Sequence, residues 1–143
     1  MKEIVLDASV FLPLLLNLGR KFKELAGNFS FHLLDLTLYE VCNGLWKESA
    51  KLNRIDAFTA SELCYYSKEV AKRCAKVHSI SELDVRSVIE IALESGLTFY
   101  DSSYIELARE LNASLATEDK EIARVAPKYK IEVLSLNRLM GSI

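Results

Sequence analysis

The chain has 143 residues, half of them hydrophobic and 27% charged. That suits a single domain with a buried core and excludes a disordered chain. A net charge of −2 excludes a globally basic nucleic-acid binder, so any such partner has to meet a local basic stripe.

Ile4-Val5-Leu6 is a short apolar run with two β-branched residues, followed at once by a helical pattern. It reads as a strand covered on both faces, inside a parallel sheet. Asp7 falls where that strand ends, at the edge where open α/β sheets bind ligands. Val10, Phe11, Leu14, Leu15, Leu18, Phe22 and Leu25 then recur at helical spacing up to a break at Gly27-Asn28. Pro13 is tolerated near the helix start if Ser9 is the N-cap, with Asp7 just outside.

Phe31 to Leu34 reads as a second strand. A helix over residues 38–52 follows, with Val41, Cys42, Leu45, Trp46 and Leu52 on one side. Glu40, Asn43, Lys47, Lys51 and Arg54 fall on the other. That stripe runs acid, amide, bases, the order wanted if Glu40 holds a metal and the bases guide phosphates. Its plainer reading is a solvated face. Asp56 caps a third helix with Leu63, Ser67, Val70, Cys74 and Val77 at core spacing and Tyr65 and Tyr66 outside. A faint strand is indicated around residues 77–80.

Ser81-Glu82-Leu83-Asp84 resembles a capping box opening a fourth helix, with Val85, Val88, Ile89 and Ala92 inward and Gly96 at its end. Leu97 to Ser103 leads into a fifth helix carrying Asp101, with Tyr104, Leu107, Ala108 and Leu111 at core spacing and Asn112 last. Ser114 to Thr117 reads as another buried strand, with Glu118-Asp119 at its carboxyl end. A short helix to about Ala126, broken by Pro127, precedes a last strand at Ile131 to Leu134. The alternation predicts a three-layer α/β fold around a mainly parallel sheet.

Cys42, Cys64 and Cys74 form no C-x-x-C pair, and only two histidines accompany them. Buried reduced thiols are expected rather than a zinc site. Both histidines are expected to be structural. No apolar run reaches the roughly 20 residues needed to span a bilayer. Glu3, Asp7 and Pro13 interrupt the N-terminal stretch that a signal peptide would need, so a cytoplasmic protein is expected.

In a parallel sheet Asp7, Glu40, Asp101 and Asp119 point toward one edge. Two unit charges at about 4 Å repel by roughly 4 kcal/mol at an effective dielectric near 20. Such a group is stable only protonated or with cations. Oxygen donors alone select hard ions such as Mg²⁺ or Mn²⁺, and phosphodiester hydrolysis is chemistry such ions support. No G-x-S-x-G elbow, phosphate-binding loop or HExxH helix offers a competing mechanism. Asp35, Asp56 and Asp84 read as caps.

Val5-Leu6-Asp7-Ala8-Ser9-Val10, the segment from Tyr39 to Leu45, the segment from Tyr100 to Ala108, and Leu115 to Lys120 together resemble PIN-domain ribonucleases. Length and order resemble the small prokaryotic VapC-type toxins. The resemblance implies a Mg²⁺- or Mn²⁺-dependent endoribonuclease, usually a homodimer, whose acidic groove a cognate antitoxin covers. It maps Asp7, Glu40 and Asp101 onto three firm acids and Asp119 onto a more variable fourth, with Asp119 preferred over its neighbour Glu118. Ser9 and Thr117 match supporting hydroxyl residues, and Asn43 an amide beside the second acid. Two alternatives stand beside this reading. One is a catalytically degenerate PIN-fold binding protein. The other is a phosphoacceptor receiver domain, which would want paired acids where Leu6-Asp7-Ala8 has one. A dimer surface is sought on the tyrosines of the third helix and the hydrophobics of the fifth.

Overall fold

The computed structural model describes residues 1–142. Strand β1 (Lys2–Leu6) lies at the centre of a five-stranded sheet in the order β3-β2-β1-β4-β5. Its neighbours are β2 (Phe29–Leu34) and β4 (Ser114–Ala116), flanked by β3 (Lys76–His78) and β5 (Val133–Leu134), and every pairing is parallel. Ile4, Val5 and Leu6 have no exposed surface, as a strand covered on both faces requires. Successive side chains alternate between two cores. Ile4 and Leu6 pack with Phe31, Leu33 and Ala116 on one face. Val5 packs with Leu34 and Leu115 on the other. The α/β/α sandwich is thus present.

The first core is closed by α1 (Ala8–Leu18), α2 (Phe22–Asn28), α3 (Asp35–Ala50), α4 (Ala57–Cys74) and α8 (Leu136–Met140). The second is closed by α5 (Val85–Ser95), α6 (Phe99–Leu111) and α7 (Lys120–Val125). Going from β1, the chain steps to β2 on one side and returns later to β4 on the other. The carboxyl ends of β1 and β4 therefore border the topological switch point, where open α/β sheets leave a crevice.

Several local expectations are corrected. Asp7, not Ser9, is the N-cap of α1, because its carboxylate accepts from Val10 N at 3.2 Å. Pro13 consequently sits inside the helix. The single helix expected up to Leu25 is divided at Gly19, whose φ of +51° suits a residue without Cβ. Phe22 and Leu25 still reach the core, from α2. On α3 the buried stripe is Thr37, Val41 and Leu45. Trp46 and Leu52 stand at the surface, Trp46 beneath the Lys51 ammonium 5.6 Å from its ring.

The strand expected around residues 77–80 pairs instead as Lys76–His78 against β2. The capping box belongs to Ser79 and Glu82 around a single 3₁₀ turn, while Asp84 caps α5 through Arg86 N and Ser87 N. The buried face of α5 is Val88 and Ile91, leaving Val85 and Ile89 exposed. Ser102 to Ala108 of α6 are all buried, so Tyr104, Leu107 and Ala108 of the fifth helix lie in the core. Gly96 and Asn112 end their helices in left-handed conformation as expected, whereas α8 was not anticipated. His32 and His78 bond ring to ring at 2.9 Å, with Glu3 beyond His32 and Glu82 beyond His78. That chain ties β1, β2 and β3 together, the structural role expected of both.

The expectation of three reduced thiols holds only for Cys74. Packing of α3 against α4 brings the Cα atoms of Cys42 and Cys64 to 5.2 Å and joins them in a disulfide. Sequence spacing cannot show this, since a separation of 22 residues becomes a contact only when the helices dock. Closing a loop of that length constrains the unfolded chain by about 3 kcal/mol. We expect Cys42→Ser to lower unfolding free energy in urea by about that amount, and a thiol reductant to abolish the difference between variant and parent. An unchanged midpoint under oxidising conditions would deny the bridge any such role.

Candidate active site

Asp7 is 4% exposed, at the end of β1 and the start of α1. Its Oδ1 accepts from the Ser9 hydroxyl at 2.6 Å and from Val10 N, and its Oδ2 accepts from the Thr117 hydroxyl. Each hydroxyl is itself held. Ser9 Oγ accepts from Glu118 N at 2.9 Å, and Thr117 Oγ1 accepts from Asp119 N at 2.9 Å. Two hydroxyl groups thus stitch the loop after β4 onto the acid that ends β1, across the switch point.

Glu40 lies on α3 two turns in from the end of β2 and is reached by a second relay. Leu34 N donates to Thr37 Oγ1 at 3.2 Å, and the Thr37 and Tyr104 oxygens lie 2.9 Å apart. The Tyr104 hydroxyl donates to Glu40 Oε1 at 2.5 Å. Since a carboxylate cannot donate, the Tyr104 proton goes to Glu40 and the Thr37 proton to Tyr104. Residue spacing marked Tyr104 only as a core position. The available signal was that Tyr104 lies one helical turn beyond Asp101, and that a buried tyrosine hydroxyl needs a partner.

Asp101 is in the first turn of α6, which Thr98 caps by accepting from Asp101 N at 3.1 Å. Neither Ser102 nor Ser103 serves as that cap. Asp119 caps α7, accepting from Glu121 N at 2.9 Å and Ile122 N at 3.0 Å. Glu118 turns elsewhere, accepting from Leu136 N at 2.6 Å and so anchoring the start of α8. Of the two adjacent acids, only Asp119 bears electrostatically on Glu40 and Asp101.

The four acids share one field. Burial pushes the Asp7 carboxyl up from 3.8 to about 6, with Glu40 adding repulsion and the Ser9 and Thr117 hydroxyls opposing the rise. Glu40 is raised chiefly by burial, against its Tyr104 bond, and further by Asp101 and Asp119. Asp101 is raised by burial and then by Asp119. Among the described residues no lysine or arginine forms an ion pair with any of the four. Nor do three side chains of histidine, cysteine, aspartate or glutamate converge as a ready-made metal cage. The acids bear on one another without closing on one point, and Asp7, Glu40 and Asp119 each accept hydrogen bonds of their own. The donor chemistry fits a hard cation, because every group offered is an oxygen and no thiolate or imidazole intrudes.

The expected supporting residues divide. Ser9 and Thr117 contact Asp7 directly, whereas Asn43 is exposed one turn beyond Glu40. Lys47 and Lys51 continue that face at the surface. Arg54 lies past the helix and pairs with Glu48 at 3.5 Å, so it is not a free base on the stripe.

A family model described as the PIN domain matches residues 4–128. The chain belongs to the PIN domain family. It is 32% identical to a protein named exonuclease VapC9 of Pyrobaculum aerophilum, over 92% of each chain. It is 38% identical to ribonuclease VapC3 of the same organism, over 67% of this chain and 71% of that one. A crystal structure of PAE2754 from Pyrobaculum aerophilum superposes with a TM-score of 0.74 at 30% identity, covering 98% of this chain and 90% of that one. A PIN domain accounts for the parallel order of the sheet.

The raised Asp7 carboxyl has a measurable consequence. A carboxyl whose folded pKa lies above its unfolded value favours the fold while protonated, so its contribution is lost as pH rises from about 4 to about 6. A rise from 3.8 to about 6 corresponds to about 3 kcal/mol. Without divalent cations, Asp7→Asn should therefore gain about 3 kcal/mol relative to the parent between pH 4 and pH 7. Parallel urea titrations at the two pH values measure it, and a pH-independent difference would show that Asp7 ionises freely.

Proposed function

We propose that this PIN domain is a metal-dependent endoribonuclease that hydrolyses RNA phosphodiester bonds, with Asp7, Glu40, Asp101 and Asp119 as the ligands of Mg²⁺ or Mn²⁺. The observation that carries the proposal is a set of four carboxylates that bear on one another electrostatically, with no cationic side chain among the described residues paired to them. A field of that sign repels RNA unless hard cations occupy it. Bound there, a divalent ion supplies Lewis acidity and acidifies water for attack on phosphorus.

The protein's own part is to hold the acids in place. Ser9, Thr117 and Val10 N fix both oxygens of Asp7, and Tyr104 fixes one oxygen of Glu40. Tyr104 is a positioning residue, acting through Glu40. Asp119 keeps one oxygen on the backbone of α7, which leaves the other for a ligand. Lys47 and Lys51, on the Glu40 face of α3, are suited to guiding phosphates toward the acids, with Asn43 between. Arg54 contributes only if it leaves Glu48. On the family resemblance, the proposal extends to a cytoplasmic homodimer working as the toxin of a toxin-antitoxin pair, with an antitoxin able to cover the acidic groove.

The test is cleavage of single-stranded RNA in Mg²⁺ or Mn²⁺. Asp7→Asn and Asp101→Asn should abolish it while circular dichroism stays unchanged. Thr117→Val, which removes a support rather than a ligand, should reduce it about 10- to 100-fold. Cleavage that persists in both aspartate variants overturns the proposal. Metal-dependent RNA binding without cleavage by the parent would favour the degenerate binding protein instead.

A further inference from the structure

Tyr39 and Tyr100 each stand immediately before one of the acids, Glu40 and Asp101, and are 77% and 63% exposed. Both line a cavity of about 210 Å³ whose floor is apolar, with Leu83 and Ile80 on one side and Ser103 and Asp35 as polar members. Solvent-facing tyrosines at the mouth of a site, on two different helices, have no core role. Neither hydroxyl has a hydrogen-bond partner among the described residues.

We propose that this cavity is a subsite for one unpaired RNA base next to the bond to be cut, stacked by Tyr39 and Tyr100 and read at its edge by Asp35. The inference rests on the nuclease reading and adds the substrate feature that it recognises. The cavity is the size for one flat ring system rather than a helix. Aromatic rings offer stacking to any base, which is how single strands are held without pairing. The cavity is lined by the first turns of α3 and α6, the two helices that carry Glu40 and Asp101, so a base held there lies near the proposed ligands.

The polar group sets the preference. Asp35 Oδ1 accepts from Leu36 N at 2.8 Å, and the carboxylate offers only acceptors. It therefore favours bases with N–H donors on the Watson–Crick edge. Guanine, which presents two side by side, suits a carboxylate best, whereas uracil offers it a single N3–H flanked by two carbonyl oxygens.

The test measures binding apart from cleavage. Asp7→Asn protein in Mg²⁺ is titrated against a fluorescent single-stranded RNA decamer, containing one guanine among uracils, by anisotropy. Adding Tyr39→Ala or Tyr100→Ala should weaken binding about 5- to 150-fold each, while Tyr39→Phe and Tyr100→Phe, which keep the ring, should bind as the parent does. Replacing the guanine with inosine, which lacks the amino group, should weaken binding in the parent and have no effect when Asp35→Asn is added. Parent binding with silent tyrosine variants overturns the subsite and leaves the nuclease reading intact. So does a tyrosine effect confined to oligomeric state by light scattering, which would assign the face to a protein. No binding by the parent, together with no RNA cleavage by the unmodified protein, removes both.

Discussion

A carboxylate at the end of the central strand, which is covered on both faces, is the constraint to which the rest of the molecule responds. Asp7 cannot move away from the sheet, because β1 is hydrogen-bonded on both sides and its residues Ile4 to Leu6 are fully buried. It can be kept there only by supplying donors. Ser9 and Thr117 supply them, and each is in turn tied to the backbone of the loop that follows β4. The charge that would otherwise weaken the centre of the fold thus becomes the joint between its two halves.

The same logic accounts for the relay to Glu40. The end of β2 is joined through Thr37 and Tyr104 to a carboxylate on α3, so one residue of α6 spans both layers. Tyr104 packs its ring in the second core and directs its hydroxyl at the acids. Burial pushes that hydroxyl far above its ordinary range, and Glu40 adds to the rise, so it acts as a donor and not as a base. The chain builds its candidate site from rigid pieces: a strand end, a helix body, a helix start and a helix cap. A side chain fixed by a hydrogen-bonded backbone keeps its position when neighbouring charges repel it.

Much of this was legible in the residues. The ends of β1 and β4 could be read from apolar runs followed by acids, and the family resemblance pointed to Ser9 and Thr117 as hydroxyls that support them. Other features were hidden for identifiable reasons. Periodicity gives a helix face relative to its own axis, but not how the helix is rotated against the sheet. Trp46 was therefore assigned to a core that it does not reach, and the face of α5 was misplaced. Glu118 and Asp119 are indistinguishable as letters; only the docking of α8 takes up one and leaves the other in the acidic field.

By itself the sequence determined the parallel architecture, the burial of β1 on both faces and the acids that follow the apolar runs of β1 and β4, because strand and helix periods and the residues that end them are local properties. The three-dimensional packing decided the partner of each acid, the Cys42–Cys64 bridge, the edge position of β3 and the placing of Tyr39 and Tyr100 around one cavity. Those features join residues far apart in the chain, as with the 110 positions between Asp7 and Thr117. Such separations become contacts only once the order of strands has been chosen and both cores have closed.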